Sequence, residues 1–153
     1  LLITFDPNLR PQLWPSQDDM IKSINSMAAK ADIVLPGTAE GKILMGSEDP
    51  KKINDFYRNL GAKVVITKVG SEGAYVTTAT EEYLVPGFKV DKVVDTVGAG
   101  DGFAAGVITA LMEGRTLKEA VRRGNAVGAI QVMSRGDNEG LPYPDQLKTF
   151  MKK

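Results

Sequence analysis

The sequence predicts an α/β fold: an open, mostly parallel sheet with helices on both faces. Short apolar runs alternate with amphipathic stretches at the rhythm of strand–helix units. "AKVVITKVG" (62–70) is a continuous β-branched run, as in strands covered on both faces. At 153 residues, the chain fits one domain. A domain of that size buries roughly 70% of its unfolded surface.

The elements follow in order. "LLITF" (1–5) reads as a buried strand ended by Asp6-Pro7. "SQDDMIKSINSMAAKA" (16–31) reads as a helix with Ser16 as N-cap, acids in its first turn, and Met20, Ile21, Ile24, Met27 and Ala28 on one face. "DIVLPG" is a second short strand and "TAEGKILMG" a short helix. Asp49 and Pro50 open the helix "PKKINDFYRNL", and Gly61 ends it. After the run at 62–70, "GAYVTTATEEYLVPGF" alternates like a hairpin at the sheet edge. "KVDKVVD" (89–95) leads into the glycine-rich stretch that follows, with Val90 before a last strand, and a helix is expected over about 98–113. Thr116 and Glu119 form a capping box for a long final helix. Ligands of such sheets bind at the carboxyl ends of the strands, which directs attention to loops 6–16, 36–41, 68–73 and 95–101.

Composition removes several classes of chemistry. Lys+Arg and Asp+Glu both number 19, so no basic footprint points to nucleic acid. There is no Cys and no His, which excludes thiolate nucleophiles, Cys-based metal sites and imidazole bases. Any chemistry rests on carboxylates, Lys/Arg, hydroxyls and backbone amides. No apolar run reaches membrane-spanning length and no signal peptide is visible, so a cytoplasmic protein is expected, with no membrane partner.

"DTVGAGDGFAAG" (95–106) concentrates the chemistry. Four glycines, Gly98, Gly100, Gly102 and Gly106, occupy one strand–helix junction. Glycines let backbone N–H groups turn toward one point, and the first helical turn leaves those groups without intrahelical partners. That geometry suits a phosphate. Asp101 beside it suits the orienting and deprotonation of an attacking hydroxyl. A lone acid in a first turn more often just stabilises its helix dipole, by about 0.3–1 kcal/mol. That role does not account for the glycines, although Gly106, Gly102 and Ala110 also make a small-residue face for close packing. A Walker loop is excluded because no Lys follows the glycines, and the dinucleotide fingerprint fails at Phe103.

"DTVGAGDGFAAGVI" closely resembles the signature of the ribokinase-like (PfkB) carbohydrate kinases, unbroken over 95–108. The resemblance implies that Asp101 is the catalytic base and that the amides of Gly98, Ala99 and Gly100 form the anion hole. "TKVGSEG" is similar to the family's nucleotide loop, placing Lys68, Gly70 and Gly73 near ATP. "RGNAVGAIQV" is similar to its final helix, placing Asn125 beside adenine, and Val90 is a further adenine contact. Where many members carry N-x-x-E, this chain reads Gly37-Thr38-Ala39-Glu40; it keeps the Glu, a candidate for organising Mg²⁺, and lacks the Asn. "FDPNLRPQLW" resembles a segment of the 2-keto-3-deoxygluconate kinase and fructokinase branch, and "RGDNEGLP" (135–142) leans toward the former. Arg10 suits a sugar-acid carboxylate, with nucleotide phosphate or a loop cap through Asp6 as alternatives.

The implied function is ATP- and Mg²⁺-dependent phosphoryl transfer to a small-molecule sugar or sugar acid. The resemblance covers residues 1–153 as the C-terminal nucleotide-binding and catalytic part of a member, whose N-terminal portion would supply substrate pocket, lid and homo-oligomer contacts. Fructokinase is the alternative within the family, and nucleotide binding without catalysis the alternative outside it. An unpaired sheet edge is expected where the missing strands would pair.

Overall fold

A computed structural model describes residues 1–136 and 138–153. Asp137, in the "RGDNEGLP" segment, lies outside the described residues. The chain forms two compact units, residues 1–69 with 75–84 and residues 70–74 with 85–153.

The sheet runs in the order β1 (Thr4–Phe5), β2 (Ile33–Val34), β3 (Val64–Lys68), β4 (Gly73–Thr77), β5 (Glu82–Pro86). All but residues 73–74 and 85–86 of it belong to the first unit. β1, β2 and β3 are parallel, with Phe5 beside Val34 and Val34 beside Val65. Their crossovers are α1 (Gln17–Ala28) and then α2 (Thr38–Met45) with α3 (Pro50–Leu60). The link from β3 to β4 is only residues 69–72, too short for a parallel crossover, so β4 turns back. β4 and β5 close as a hairpin in which the Thr78 N–H donates to the Glu81 carbonyl at 2.9 Å. The sheet is therefore open and mixed, with the expected hairpin on its edge. At the other edge stands β1, where Leu1, Leu2 and Ile3 are exposed.

Each helix of the first unit starts where its sequence says. The Ser16 side chain caps α1 by accepting from the Asp19 N–H, and Asp49 caps α3 from the Lys51 N–H with Pro50 in the first turn. Gly46 and Gly61, at positive φ, end α2 and α3. The core gathers Met20, Ile24 and Ala28 of α1, Leu44 of α2, Ile53 and Tyr57 of α3, and Val34 and Val65 of the sheet. Met27, expected on that face, is exposed. The buried Asn54 side chain is paired, as burial demands. Asn54 donates to the Tyr75 carbonyl and Thr77 Oγ1, both at 3.0 Å, and accepts from Thr67 Oγ1 at 2.6 Å.

The second unit is built from α4 (Ala99–Met112), α5 (Leu117–Gln131) and α6 (Pro144–Phe150). The sequence reading missed α6. The capping box of α5 forms as expected, with Thr116 and Glu119 each holding the other's N–H. Phe103, Val107, Val121, Val127 and Phe150 are buried in this unit.

The last strand expected between Val90 and the glycine turn is absent: residues 87–98 are irregular. A strand needs a ladder. Here the Val94 and Asp95 N–H groups donate instead to the Val132 carbonyl, at 2.7 and 3.2 Å, and Val93 and Val94 face solvent. Val90 accordingly lies half-buried in an irregular segment, not before a strand. Among the described residues, no helix is long and apolar enough to cross a membrane.

Candidate functional site

In the second unit, Gly98 turns the chain into α4. Its φ of 76° is left-handed, which only glycine adopts without strain. Of the amides that precede and open the helix, Ala99 donates to the Thr96 carbonyl at a long 3.3 Å. The N–H groups of Gly98, Gly100 and Asp101 make no hydrogen bond among the described residues. Three unspent donors thus sit at the N-terminus of a 14-residue helix, where the dipole favours an anion. The Asp101 side chain is exposed at the same turn. Two of the three expected anion-hole amides are free, and the third free donor is Asp101's own.

The remaining glycines of the motif do something else. A Cβ on Gly106 would lie 2.9 Å from the Cα of Gly124, and one on Gly102 would lie 3.2 Å from Val127 Cγ1. Gly102 and Gly106 bring α4 against α5, as the small-residue face suggested.

Asp95 is a residue of this stretch that the sequence left without a role. Its Oδ1 accepts the Val97 N–H at 3.0 Å and its Oδ2 the Gly136 N–H at 3.4 Å, tying down the chain just before Gly98. These backbone donors, the Val97 N–H first, hold its carboxyl below the usual carboxylate range.

Gly73 and Asn125 converge on one carbonyl. A Cβ on Gly73 would lie 2.0 Å from the Val85 oxygen, so only glycine leaves room for it. Asn125, buried on α5, donates through Nδ2 to that oxygen at 2.9 Å and to the Pro86 oxygen at 3.1 Å. Gly70 differs from Gly73: its φ is 60°, and the space beside its Cα is open.

In the first unit, the carboxyl ends of the three parallel strands bring Asp6, Glu40 and Lys68 together, as such sheets dictate. Lys68 Nζ lies 3.0 Å from Asp6 Oδ2, and both side chains are 19% exposed. Glu40 caps its own helix by accepting the Gly37 N–H at 2.9 Å, and its second oxygen accepts the Leu9 N–H at 3.0 Å. Burial pushes the Asp6 carboxyl up, with Lys68 pulling it back. Arg10 is exposed; its Nη1 donates to Asn8 Oδ1 and to the Leu9 carbonyl, both at 2.9 Å. It therefore steadies the loop through Asn8 rather than Asp6.

Comparison with known proteins places this architecture. The model of the pfkB family of carbohydrate kinases matches residues 2–144. The chain belongs to that family. It is 52% identical over 149 residues to 2-dehydro-3-deoxygluconokinase of Bacillus subtilis (strain 168), an alignment covering 97% of this chain and 46% of that one. Among solved structures, it is similar to aminoimidazole riboside kinase from Salmonella enterica, complexed with aminoimidazole riboside and an ATP analog. There the TM-score is 0.91 at 36% identity, covering 99% of this chain and 52% of the other. Fructokinase from Vibrio cholerae O395, bound to fructose, ADP and calcium ion, gives a TM-score of 0.89 at 28% identity, covering 97% and 50%. The chain spans about half the length of these pfkB relatives.

Proposed function

We propose that this chain carries the phosphate cradle and catalytic base of an ATP-dependent kinase for a sugar acid, 2-keto-3-deoxygluconate. The observation that carries the reading is the α4 N-terminus: three unspent N–H groups beside the Asp101 carboxylate. Asp101 accepts the proton of the attacking primary hydroxyl. The amides of Gly98 and Gly100, with the weaker Ala99, stabilise the charge on the transferring phosphoryl group at no reorganisation cost. Gly70, with open space beside it, lets nucleotide approach the backbone, and Gly73 and Asn125 hold the strand end beside it; Val90 is a further adenine contact. Arg10 presents its unspent guanidinium edge to the substrate carboxylate. The identity to a 2-dehydro-3-deoxygluconokinase supports that substrate.

Mg²⁺ fits as a companion of nucleotide phosphates. Among the described residues, no three carboxylates gather into a metal cage, and Glu40 spends both oxygens on backbone amides. Mg²⁺ commonly keeps its waters and binds through phosphates plus one or two carboxylates, so Glu40 would hold it through water rather than directly. When bound, the ion neutralises phosphate charge.

In the enzyme that carries this chain, Asp101→Asn is expected to lower kcat by about 10²–10⁴-fold while ATP still binds. Undiminished turnover overturns the assignment. The chain's share of its relatives' length favours a second reading, nucleotide binding without transfer by these residues alone. Phosphorylation by the purified chain given ATP, Mg²⁺ and sugar acid would exclude it.

A further inference from the structure

Resting on the sugar-acid reading and deepening it, we infer that Lys68 is a positioning residue: by gripping Asp6 it sets the aim of Arg10, and it does not contact nucleotide.

Lys68 is a fixed point. It ends β3, its N–H donates to the Pro36 carbonyl at 2.8 Å, and it bridges to Gly37 in parallel register. Its ammonium is committed to Asp6 at the head of loop 6–10. The other Asp6 oxygen, Oδ1, is buried with no hydrogen-bond partner among the described residues. Drawing Lys68 away to a phosphate would strip that part-buried carboxylate of its counter-charge, leaving it the Asn8 backbone N–H as support, a costly state for a group so placed.

The same loop is held at a second point, where Glu40 accepts the Leu9 N–H. Between the two clamps, Asn8 adopts φ 42°, the one non-glycine residue at positive φ among those described. Such backbone persists only where its surroundings over-determine it. Asn8 and Leu9 are the residues that hold Arg10 Nη1, so the strained turn fixes the guanidinium. The Nε and Nη2 edge of Arg10 makes no hydrogen bond among the described residues, leaving a two-donor fork for a carboxylate. Force passes from β3 through Lys68 and Asp6 to Asn8 and Arg10. Loss of the first grip moves the last.

The test is steady-state kinetics of the full enzyme with 2-keto-3-deoxygluconate, fructose and ATP, for Lys68→Met and Lys68→Arg. Lys68→Met should raise KM for the sugar acid by roughly tenfold to a hundredfold, the scale of an ångström-sized misplacement, with KM for ATP and any fructose turnover unchanged. Lys68→Arg should restore most of the loss. Adding Asp6→Asn to Lys68→Met should cost little more, because both act through one contact. A raised KM for ATP, equal losses on acid and neutral sugar, or an unchanged sugar-acid KM each overturns the inference. Should Lys68→Met fail to fold by circular dichroism, Lys68→Arg and the Asp6→Asn/Lys68→Met pair make the same comparison. A wild-type enzyme that phosphorylates no sugar acid instead overturns the reading beneath it.

Discussion

Gly106 of α4 meets Gly124 of α5 so closely that a Cβ on Gly106 would stand 2.9 Å from the Gly124 Cα and 3.0 Å from the Arg123 carbonyl oxygen. Reciprocally, a Cβ on Gly124 would lie 2.9 Å from the Phe103 carbonyl oxygen. The helix that presents the proposed phosphate cradle is thus seated closely on its neighbour. The three atoms nearest a Cβ on Gly106 are all backbone, with no side chain that could yield; for Gly124 the nearest is Val107 Cγ2, at 2.7 Å.

This contact gives opposed expectations for Gly106→Ala. Helix propensity alone favours Ala by about 1 kcal/mol. Overpacking against rigid backbone costs about 1–3 kcal/mol, and at 2.9 Å the steric cost wins. Urea unfolding should show a lower midpoint for Gly106→Ala. A raised midpoint would mean that the helices separate freely.

Asp95 offers a test of the cradle that leaves Asp101 alone. Asp95→Ala removes the acceptor for the Val97 and Gly136 N–H groups and loosens the approach to Gly98. The loss should appear as a roughly tenfold to hundredfold fall in kcat, since the donors must be held in place before the phosphoryl group moves. Circular dichroism should show the fold retained. Wild-type kcat in Asp95→Ala would separate this residue from the site.

Much of this was legible in sequence because local rules governed it. Ser16, Asp49 and Thr116 cap the helices that follow them, since an N-cap needs only its own next turn. The left-handed glycine turn that opens α4, too, is set by adjacent residues. What failed depended on distant partners. Valines at 90, 93 and 94 have strand propensity, yet the N–H groups of Val94 and Asp95 found Val132 and the segment formed no ladder. Asn125 could be read as an exposed helix residue or as a ligand contact; its bonds to Val85 and Pro86, forty residues away, could not be read at all. The same holds for Lys68, whose partner lies 62 positions upstream.

That partner, Asp6, makes a pH-dependent prediction with a definite sign. Burial lifts its carboxyl above the usual 3.8, Glu40 adds to the lift, and the charge and hydrogen bond of Lys68 only partly offset it. A carboxyl whose folded pKa exceeds its unfolded value holds its proton more tightly when folded, so stability falls as pH rises through the interval between the two. Asp6→Asn has no proton to lose there. Urea midpoints measured from pH 3 upward should therefore show the stability of wild type relative to Asp6→Asn declining just above pH 3.8 and then levelling once the folded carboxyl has ionised. A relative stability that climbs with pH would mean that Lys68 outweighs desolvation. The expected decline says that ionised Asp6 is a net cost to the fold, as is common for ion pairs withdrawn from water. A charge pair that does not stabilise the fold is one whose value lies in where it holds the chain, and here it holds the loop that carries Arg10.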